Sequence, residues 1–172
     1  MPSGHRQDPI LLELTKLGYT CAPEAARQII QEQVQTGGRA LPWDDRRAYT
    51  RLMLQRSVES FREFAAVARP AFADRGIPDT LCYARLIGLA DARWIVRACR
   101  RYRYAPLVFL APPWKEIYRT DGERKQDFGE AERTHAVMTE VYREQGYRIL
   151  ELAKVTVEAR AQFIVDAVRS SA

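Results

Sequence analysis

Acidic and basic side chains recur directly after short apolar segments of this 172-residue chain. Glu24 and Arg27 follow one such segment, and Asp74 and Arg75 follow the next. A carboxylate in this position can hold Mg²⁺ directly or through water, or take a proton from an attacking hydroxyl group. Arginine can stabilise the charge that builds up on a phosphoryl group during its transfer. These residue types therefore indicate chemistry on a phosphate-bearing ligand.

Two later segments are followed by further candidates, most of them basic. The segment at 105–112, Ala-Pro-Leu-Val-Phe-Leu-Ala-Pro, precedes a long loop, and the segment at 147–152 precedes a short connection. The residues of interest after them are Lys115, Arg119, Arg124, Lys125, Lys154 and Val155.

The elements that must position these residues alternate between short strands and longer helices. Strand-like segments are predicted at 18–23, 69–74, 105–112 and 147–152, and helices at 44–68, at 127–145 and from near Thr156. Such alternation predicts an α/β fold with a parallel sheet and helices on both of its faces. In sheets of this kind ligands bind beyond the carboxyl ends of the strands, so the candidate residues are expected to meet at one edge.

Each candidate also has a purely structural interpretation. Glu24 suits a helix N-terminus, because the helix dipole favours a carboxylate there. Asp74 before a glycine is typical of an Asx-type turn, and the cations of 115–125 are typical of a solvated loop. Their occurrence at four successive strand ends favours the functional interpretation.

Composition and length limit the remaining possibilities. The length suits a single domain over residues 1–172, and the net charge of +5 suits phosphate ligands, with nucleic acid an unlikely partner. The three cysteines lack metal-ligand spacing and are expected to be buried free thiols. No apolar run approaches the roughly 20 residues of a membrane span, and the start does not resemble a signal peptide. A cytoplasmic protein without a membrane partner is expected.

Longer blocks of the sequence resemble a known family. They read PEAARQIIQEQ, DRGIPDTLCYARLIGL and PPWKEIYRTDGERKQDFGEAERTHAVMTEVYREQGYRILEL. They are similar to small bacterial predicted ATPases, usually named AAA-family ATPases or AAA-domain NTPases, which in turn are similar to P-loop nucleoside and nucleotide kinases. The resemblance runs from about Leu14 to the C-terminus.

This resemblance implies a three-layer, parallel-sheet P-loop NTPase fold of the kinase-like type, with ATP and Mg²⁺ as cofactors. It implies that Asp74 and Arg75 form the acid–arginine pair after a core strand, with Asp74 near the metal. Glu24 would be a catalytic base or, with Arg27, a substrate anchor near an unidentified small-molecule acceptor. The loop at 112–126 would be a lid over the phosphates.

The resemblance also implies roles for the residues of that loop and of the last connection. The lid residues over the phosphates would be Arg119, Arg124 and Lys125. Lys154 and Val155 would flank the adenine of the nucleotide.

The N-terminus departs from the family pattern. Such proteins open with an apolar strand and a loop of the form GxxxxGK[ST], whereas residues 1–13 form a degenerate version of this region. Gln7 and Asp8 stand at the lysine and Ser/Thr positions, and only Gly4 remains of the glycines. A loop without these residues loses its amide nest and its ammonium group, and Asp8 would repel phosphate.

The first strand, expected in the middle of the sheet, is also missing, which leaves its neighbours to pair directly or to keep unpaired edges. Three explanations stay open: a true start that lies upstream, a degenerate relative, or a homodimer that completes the sheet. The leading hypothesis is an ATP-binding NTPase or small-molecule phosphotransferase. The alternative is a catalytically degenerate nucleotide- or anion-binding regulatory module.

Overall fold

The structure, a computed structural model, describes residues 8–67, 70–114 and 128–171. Within them helices and short strands alternate along the chain. The elements are α1 (Pro9–Lys16), β1 (Thr20–Ala22), α2 (Ala25–Thr36), α3 (Arg46–Phe64), β2 (Ala71–Ala73), α4 (Ile77–Leu86), α5 (Arg93–Arg101), β3 (Leu107–Leu110), α6 (Phe128–Glu144), β4 (Arg148–Glu151) and α7 (Val157–Arg169).

Polar side chains fix the starts of three helices. The Asp8 carboxylate accepts a hydrogen bond from the Ile10 amide at 2.8 Å, and Asp45 accepts one from the Ala48 amide at 2.9 Å. Thr156 caps α7, which confirms the predicted start of the last helix. Side-chain acceptors at these positions satisfy backbone donors that have no partner inside the helix.

Two predicted helix boundaries need adjustment. The helix predicted at 44–68 spans Arg46–Phe64, because Asp45 is its cap while Asp44 pairs with Arg39 at 3.1 Å. The helix predicted at 127–145 spans Phe128–Glu144, and it ends before Gly146, which has a φ of 78°. A left-handed glycine after the last turn is a common helix stop.

All four predicted strands are present in shortened form, and they are parallel. β1 pairs with β2 in the register Thr20 to Ala71, and β3 pairs with β4 in the register Leu107 to Arg148. Among the described residues these form two separate two-stranded sheets, with no strand that joins β2 to β3. Of the two outcomes expected for a sheet without its first strand, the described residues thus show unpaired inner edges and not direct pairing.

Two hydrophobic clusters hold the helices. One joins α1 to α7 and is extended by the partly buried rings of Phe72 in β2 and Phe109 in β3. The other joins α4, α5 and α6, where Ile77, Ile95 and Val141 are fully buried. Burial of a side chain of this size contributes about 1.5–3 kcal/mol. The fold is therefore a mixed α/β arrangement with short parallel strands.

Other expectations concern cysteines and membranes. Cys82 and Cys99 are buried and Cys21 is half-buried, and all three are free thiols. Within the described residues no helix is both long enough and apolar enough to cross a membrane.

Candidate functional site

A cavity of about 710 Å³ lies beyond β1 and β2 and continues between β2 and β3. Its polar end is lined by charged side chains from the segments that follow the two strands, together with the cap of α1. These residues are Asp8, Glu24, Arg27, Asp74, Arg75 and Asp79. The predicted convergence of Glu24, Arg27, Asp74 and Arg75 at one edge is what the structure shows.

Glu24 occupies the cap position of α2 but does not act as a cap. Its side chain makes no capping hydrogen bond. Its two carboxylate oxygens instead lie 4.0 Å from Nε of Arg75 and 4.0 Å from Nε of Arg27. The interpretation of Glu24 as a helix-terminus residue alone therefore does not account for its orientation toward two guanidinium groups.

Asp74 follows β2 and faces the cavity. Its amide donates to the Ala22 carbonyl at 2.9 Å, which ties the end of β2 to β1. Burial, and then the nearby negative charge of Glu24, raise the pKa of Asp74 to about 6, although Arg75 acts in the opposite direction. A carboxylate that titrates this close to neutral pH, in a cleft, suits proton transfer or cation binding.

Arg75 adopts a left-handed backbone conformation, with a φ of 73°. That conformation costs roughly 1–2 kcal/mol for a residue other than glycine. The side chain is held by Asp79, with 3.3 Å between Nη1 and Oδ1, and by Glu24. Strain of this kind is frequent at functional sites, where the surrounding contacts enforce it.

Asp79 belongs to the site but was missed as a candidate from the sequence. It is 7% exposed, and its Oδ2 accepts hydrogen bonds from the Gly76 amide at 2.7 Å and from the Tyr142 hydroxyl at 2.5 Å. The sequence signal was its position three residues after Gly76, which is the capping-box spacing at the start of α4. Asp79 thus fixes the turn that presents Asp74 and Arg75.

A close approach of Tyr104 favours glycine in this turn. A Cβ atom at Gly76 would lie 3.0 Å from the ring of Tyr104, whose hydroxyl accepts a hydrogen bond from the Ile77 amide at 3.2 Å. Gly76 is the cap of α4, and Pro78 lies in the first turn of that helix, where a missing amide hydrogen is tolerated.

The other predicted residues are not brought to the cavity by the described structure. Lys154 and Val155 lie on the exposed connection before α7 and are not among the residues that line the cavity. The lid residues Arg119, Arg124 and Lys125, with Lys115, lie outside the described residues.

The fit of a metal ion is limited. Among the described residues no three His, Cys, Asp or Glu side chains come together as a metal-binding group. Mg²⁺, however, commonly uses one or two carboxylates and completes its shell with water and substrate phosphates. Asp74 and Glu24 can supply such a partial set.

Comparison with known proteins shows which family the chain belongs to. The family described as AAA domain matches residues 10–160, a span that includes Glu24, Asp74, Arg75 and Asp79. The chain belongs to this AAA-domain family. No curated protein and no solved structure matches it. AAA domains are of the nucleotide-binding P-loop NTPase type, so the family confirms the resemblance and this general class of function.

Proposed function

We propose that this AAA-domain chain binds ATP with Mg²⁺ at the polar end of the cavity. In this proposal it acts as an ATPase or transfers a phosphoryl group to a small-molecule acceptor, as P-loop kinases do. The observation that carries the proposal is the convergence of Glu24, Asp74 and Arg75 after two paired strands, around one cavity. The family match supports the nucleotide, and the geometry supports a phosphate-bearing ligand.

Each charged residue has a distinct role in the proposal. Asp74 holds the cation, either directly or through water, and Arg75 places a permanent positive charge beside the transferring phosphoryl group. Glu24 orients the acceptor or takes its proton, and Arg27 keeps the Glu24 carboxylate in place from 4.0 Å away. Bound Mg²⁺ would supply neutralisation of the phosphate charge.

The remaining assignments rest on the sequence resemblance. In the proposal Arg119, Arg124 and Lys125 close over the phosphates, and Lys154 and Val155 flank the adenine. The proposed fold is a three-layer P-loop NTPase arrangement, and the sequence of residues 1–13 contains neither an apolar strand pattern nor the GxxxxGK[ST] pattern. The separation of the described strands into two pairs supports this reading.

One observation favours the alternative of a catalytically degenerate binding module. The Asp8 carboxylate lies at the N-terminus of α1, where it accepts a hydrogen bond from the Ile10 amide. A helix N-terminus otherwise offers free amides to a phosphate, and a carboxylate there competes with that anion. In this second proposal the chain binds a nucleotide or another anion weakly and regulates a partner without catalysis.

Calorimetric titration of the chain with Mg·ATP tests both proposals. Binding that is weakened about tenfold or more by Arg75→Ala supports the site, since a charge-assisted contact contributes about 1.5–3 kcal/mol. Arg56→Ala is the matched control, because Arg56 pairs with Glu32 at 2.7 Å and does not line the cavity. Absence of binding at millimolar Mg·ATP contradicts the first proposal and the nucleotide-binding form of the second.

Phosphate release separates the two proposals. Turnover that Asp74→Asn abolishes supports the enzyme. Binding without release of phosphate, with or without candidate small-molecule acceptors such as nucleosides, supports the degenerate module.

A further inference from the structure

The exposed side of α5 consists of arginine side chains. Residues three, four, seven or eight positions apart lie on one side of a helix. The exposed arginines with this spacing are Arg93, Arg97, Arg100 and Arg101. Ile95 and Cys99 are buried on the opposite side. One side of α5 is therefore uniformly basic.

Carboxylates do little to neutralise this side of the helix. Among the described residues its one ion pair joins Arg93 to Asp91, with 2.7 Å between Nε and Oδ1. Like charges three or four positions apart on a helix repel each other, and an ordinary solvated face relieves this with acidic neighbours. The helix dipole favours Arg100 and Arg101 in the last turn, but it does not favour Arg97. The arrangement is therefore not explained by the stability of α5.

Aromatic rings hold further guanidinium groups beside α5. Arg62 of α3 lies 5.4 Å from the centre of the Tyr102 ring and donates a hydrogen bond to its hydroxyl group at 2.7 Å. Arg101 lies 5.6 Å from the same ring, and Arg103 lies 4.2 Å from the centre of the Tyr147 ring. Groups that are fixed in advance lose less freedom when they bind an anion. The resulting arginine surface comprises Arg62, Arg93, Arg97, Arg100, Arg101 and Arg103.

A second cavity, of about 230 Å³, lies next to the arginine surface. Arg103 lines it, together with the rings of Phe61, Phe64 and Tyr104. It shares the residues of β2 with the larger cavity, but the charged residues of the candidate nucleotide site do not line it. Its volume is below the roughly 300–1,000 Å³ of pockets for drug-sized ligands, and it suits a single planar ring. Unstacked nucleobases commonly bind against aromatic side chains.

Arginines next to an aromatic cavity favour a nucleic acid over other polyanions. A guanidinium group matches phosphate oxygens with two parallel hydrogen bonds. An acidic peptide or an anionic membrane would use the arginines but has no base for the cavity. The expectation against nucleic acid rests on net charge alone, which does not show where the charges lie. Their concentration on one surface is an additional observation.

We propose that the arginine surface binds the phosphates of a single-stranded nucleic acid and that the cavity at Phe64 holds one of its bases. The strand is single because a base within a duplex must be flipped out before it can enter a cavity. The proposal does not depend on whether the larger cavity binds ATP.

Fluorescence anisotropy with a labelled uridine oligomer of about 20 nucleotides tests the phosphate contacts. The double variant Arg97→Glu, Arg100→Glu is expected to weaken binding at least tenfold at about 100 mM NaCl and to reduce its salt dependence. It should stay folded, because attractive pairs replace repulsive ones along α5. The matched control Lys16→Glu, Arg133→Glu makes the same change in net charge at exposed positions of α1 and α6. Its affinity should stay within about twofold of the wild type.

Three outcomes overturn the proposal. The first is no binding of the uridine oligomer at about 50 mM NaCl. The second is an equal loss of affinity in the two double variants, since binding then follows net charge alone. The third is tighter binding of a polyglutamate peptide or of phosphatidylserine vesicles, which assigns the arginine surface to an acidic protein or to a membrane.

Phe64→Ala tests the base contact. It is expected to weaken binding of the uridine oligomer about fivefold or more with an unchanged salt dependence, because a stacking contact is lost and the phosphate contacts remain. Ala65→Leu, which narrows the same cavity without removing a ring, should have the same effect. Inorganic polyphosphate has no bases, so both variants should bind it like the wild type. If the two variants bind the uridine oligomer like the wild type, or lose affinity for both probes equally, the cavity does not hold a base.

Discussion

The guanidinium group of Arg75 lies against the buried carboxylate of Asp79, with 3.3 Å between Nη1 and Oδ1. The same carboxylate accepts the Gly76 amide and the Tyr142 hydroxyl, so one residue joins the cavity edge to α4 and α6. The position of Arg75 in the candidate site thus depends on the hydrogen bonds of buried Asp79, a residue to which we assign no catalytic role.

Loss of the Asp79 carboxylate is expected to destabilise the fold. Asp79→Ala leaves the Gly76 amide and the Tyr142 hydroxyl buried without their acceptor, at a cost of about 2–4 kcal/mol in the free energy of unfolding. Urea denaturation measures it. The control is Glu32→Ala, which breaks an exposed pair with Arg56 and is expected to have little effect. If Asp79→Ala lowers the free energy of unfolding no more than the control does, the hydrogen bonds of Asp79 do not stabilise the fold as described.

Neutralising Asp74 is expected to stabilise the chain at pH 7. Its pKa is about 6 in the folded state, above the ordinary value of 3.8, so folding favours the protonated form. Stability from this group is therefore fully present below about pH 4 and is lost as pH rises through 6. Asp74→Asn should raise the free energy of unfolding at pH 7 by about 1–2 kcal/mol, a value reduced for partial exposure.

Denaturation of the wild type and of Asp74→Asn between pH 4 and 8 measures this effect. The variant should lose the part of the pH dependence that lies between 4 and 6. Asp44→Asn serves as a control, because a hydrogen bond from Arg39 lowers the pKa of Asp44, so the pH dependence from this group lies below about pH 4 and the profile between pH 4 and 8 should stay unchanged. Parallel pH profiles for the wild type and Asp74→Asn would contradict the raised pKa.

The backbone of residue 75 can be tested separately from its side chain. Arg75→Ala and Arg75→Gly both remove the guanidinium group, but only glycine adopts a φ of 73° without strain. Arg75→Gly should therefore be more stable than Arg75→Ala by about 1 kcal/mol, with equal losses in affinity for Mg·ATP. If thermal denaturation shows equal stability for the two variants, the turn is not strained.

The three thiols should differ in reactivity. Burial raises the pKa of Cys99 to about 11 and also raises the pKa of Cys82, so both stay protonated at pH 7.5. Half-buried Cys21 is the most accessible of the three. Iodoacetamide labelling followed by mass spectrometry should find Cys21 modified first, and the other two only in denaturant. In Cys21→Ser, rapid labelling of the native chain would be inconsistent with this burial.

Several features of the fold followed from local sequence. The apolar run Leu107–Leu110 is a strand, and Thr156 caps a helix, because each depends on neighbouring residues alone. The predicted strand ends were also accurate enough to indicate that Glu24, Asp74 and Arg75 lie at one edge of the sheet. These features are set by periodicity, capping and turn residues, which a single sequence displays.

The rest depends on contacts between distant parts of the chain. Asp79 and Tyr142 are 63 residues apart, and no local pattern marks an aspartate in a helix turn as the acceptor for a later tyrosine. The arrangement of the four strands as two separate pairs likewise depends on which strands lie next to each other, and the sequence of a single strand does not show its neighbour. Asp74 was found by its position, but its raised pKa comes from burial and from Glu24, and only the structure shows both.

The most direct test of the nucleotide site follows the Asp74 carboxyl group itself. Its titration by ¹³C NMR should give a pKa near 6 in the free chain. If Mg²⁺ and the phosphates bind at this edge, saturating Mg·ATP should lower that pKa by about 1 unit or more, because a nearby cation favours the carboxylate. An unchanged Asp74 titration at saturating Mg·ATP would show that the nucleotide site lies elsewhere.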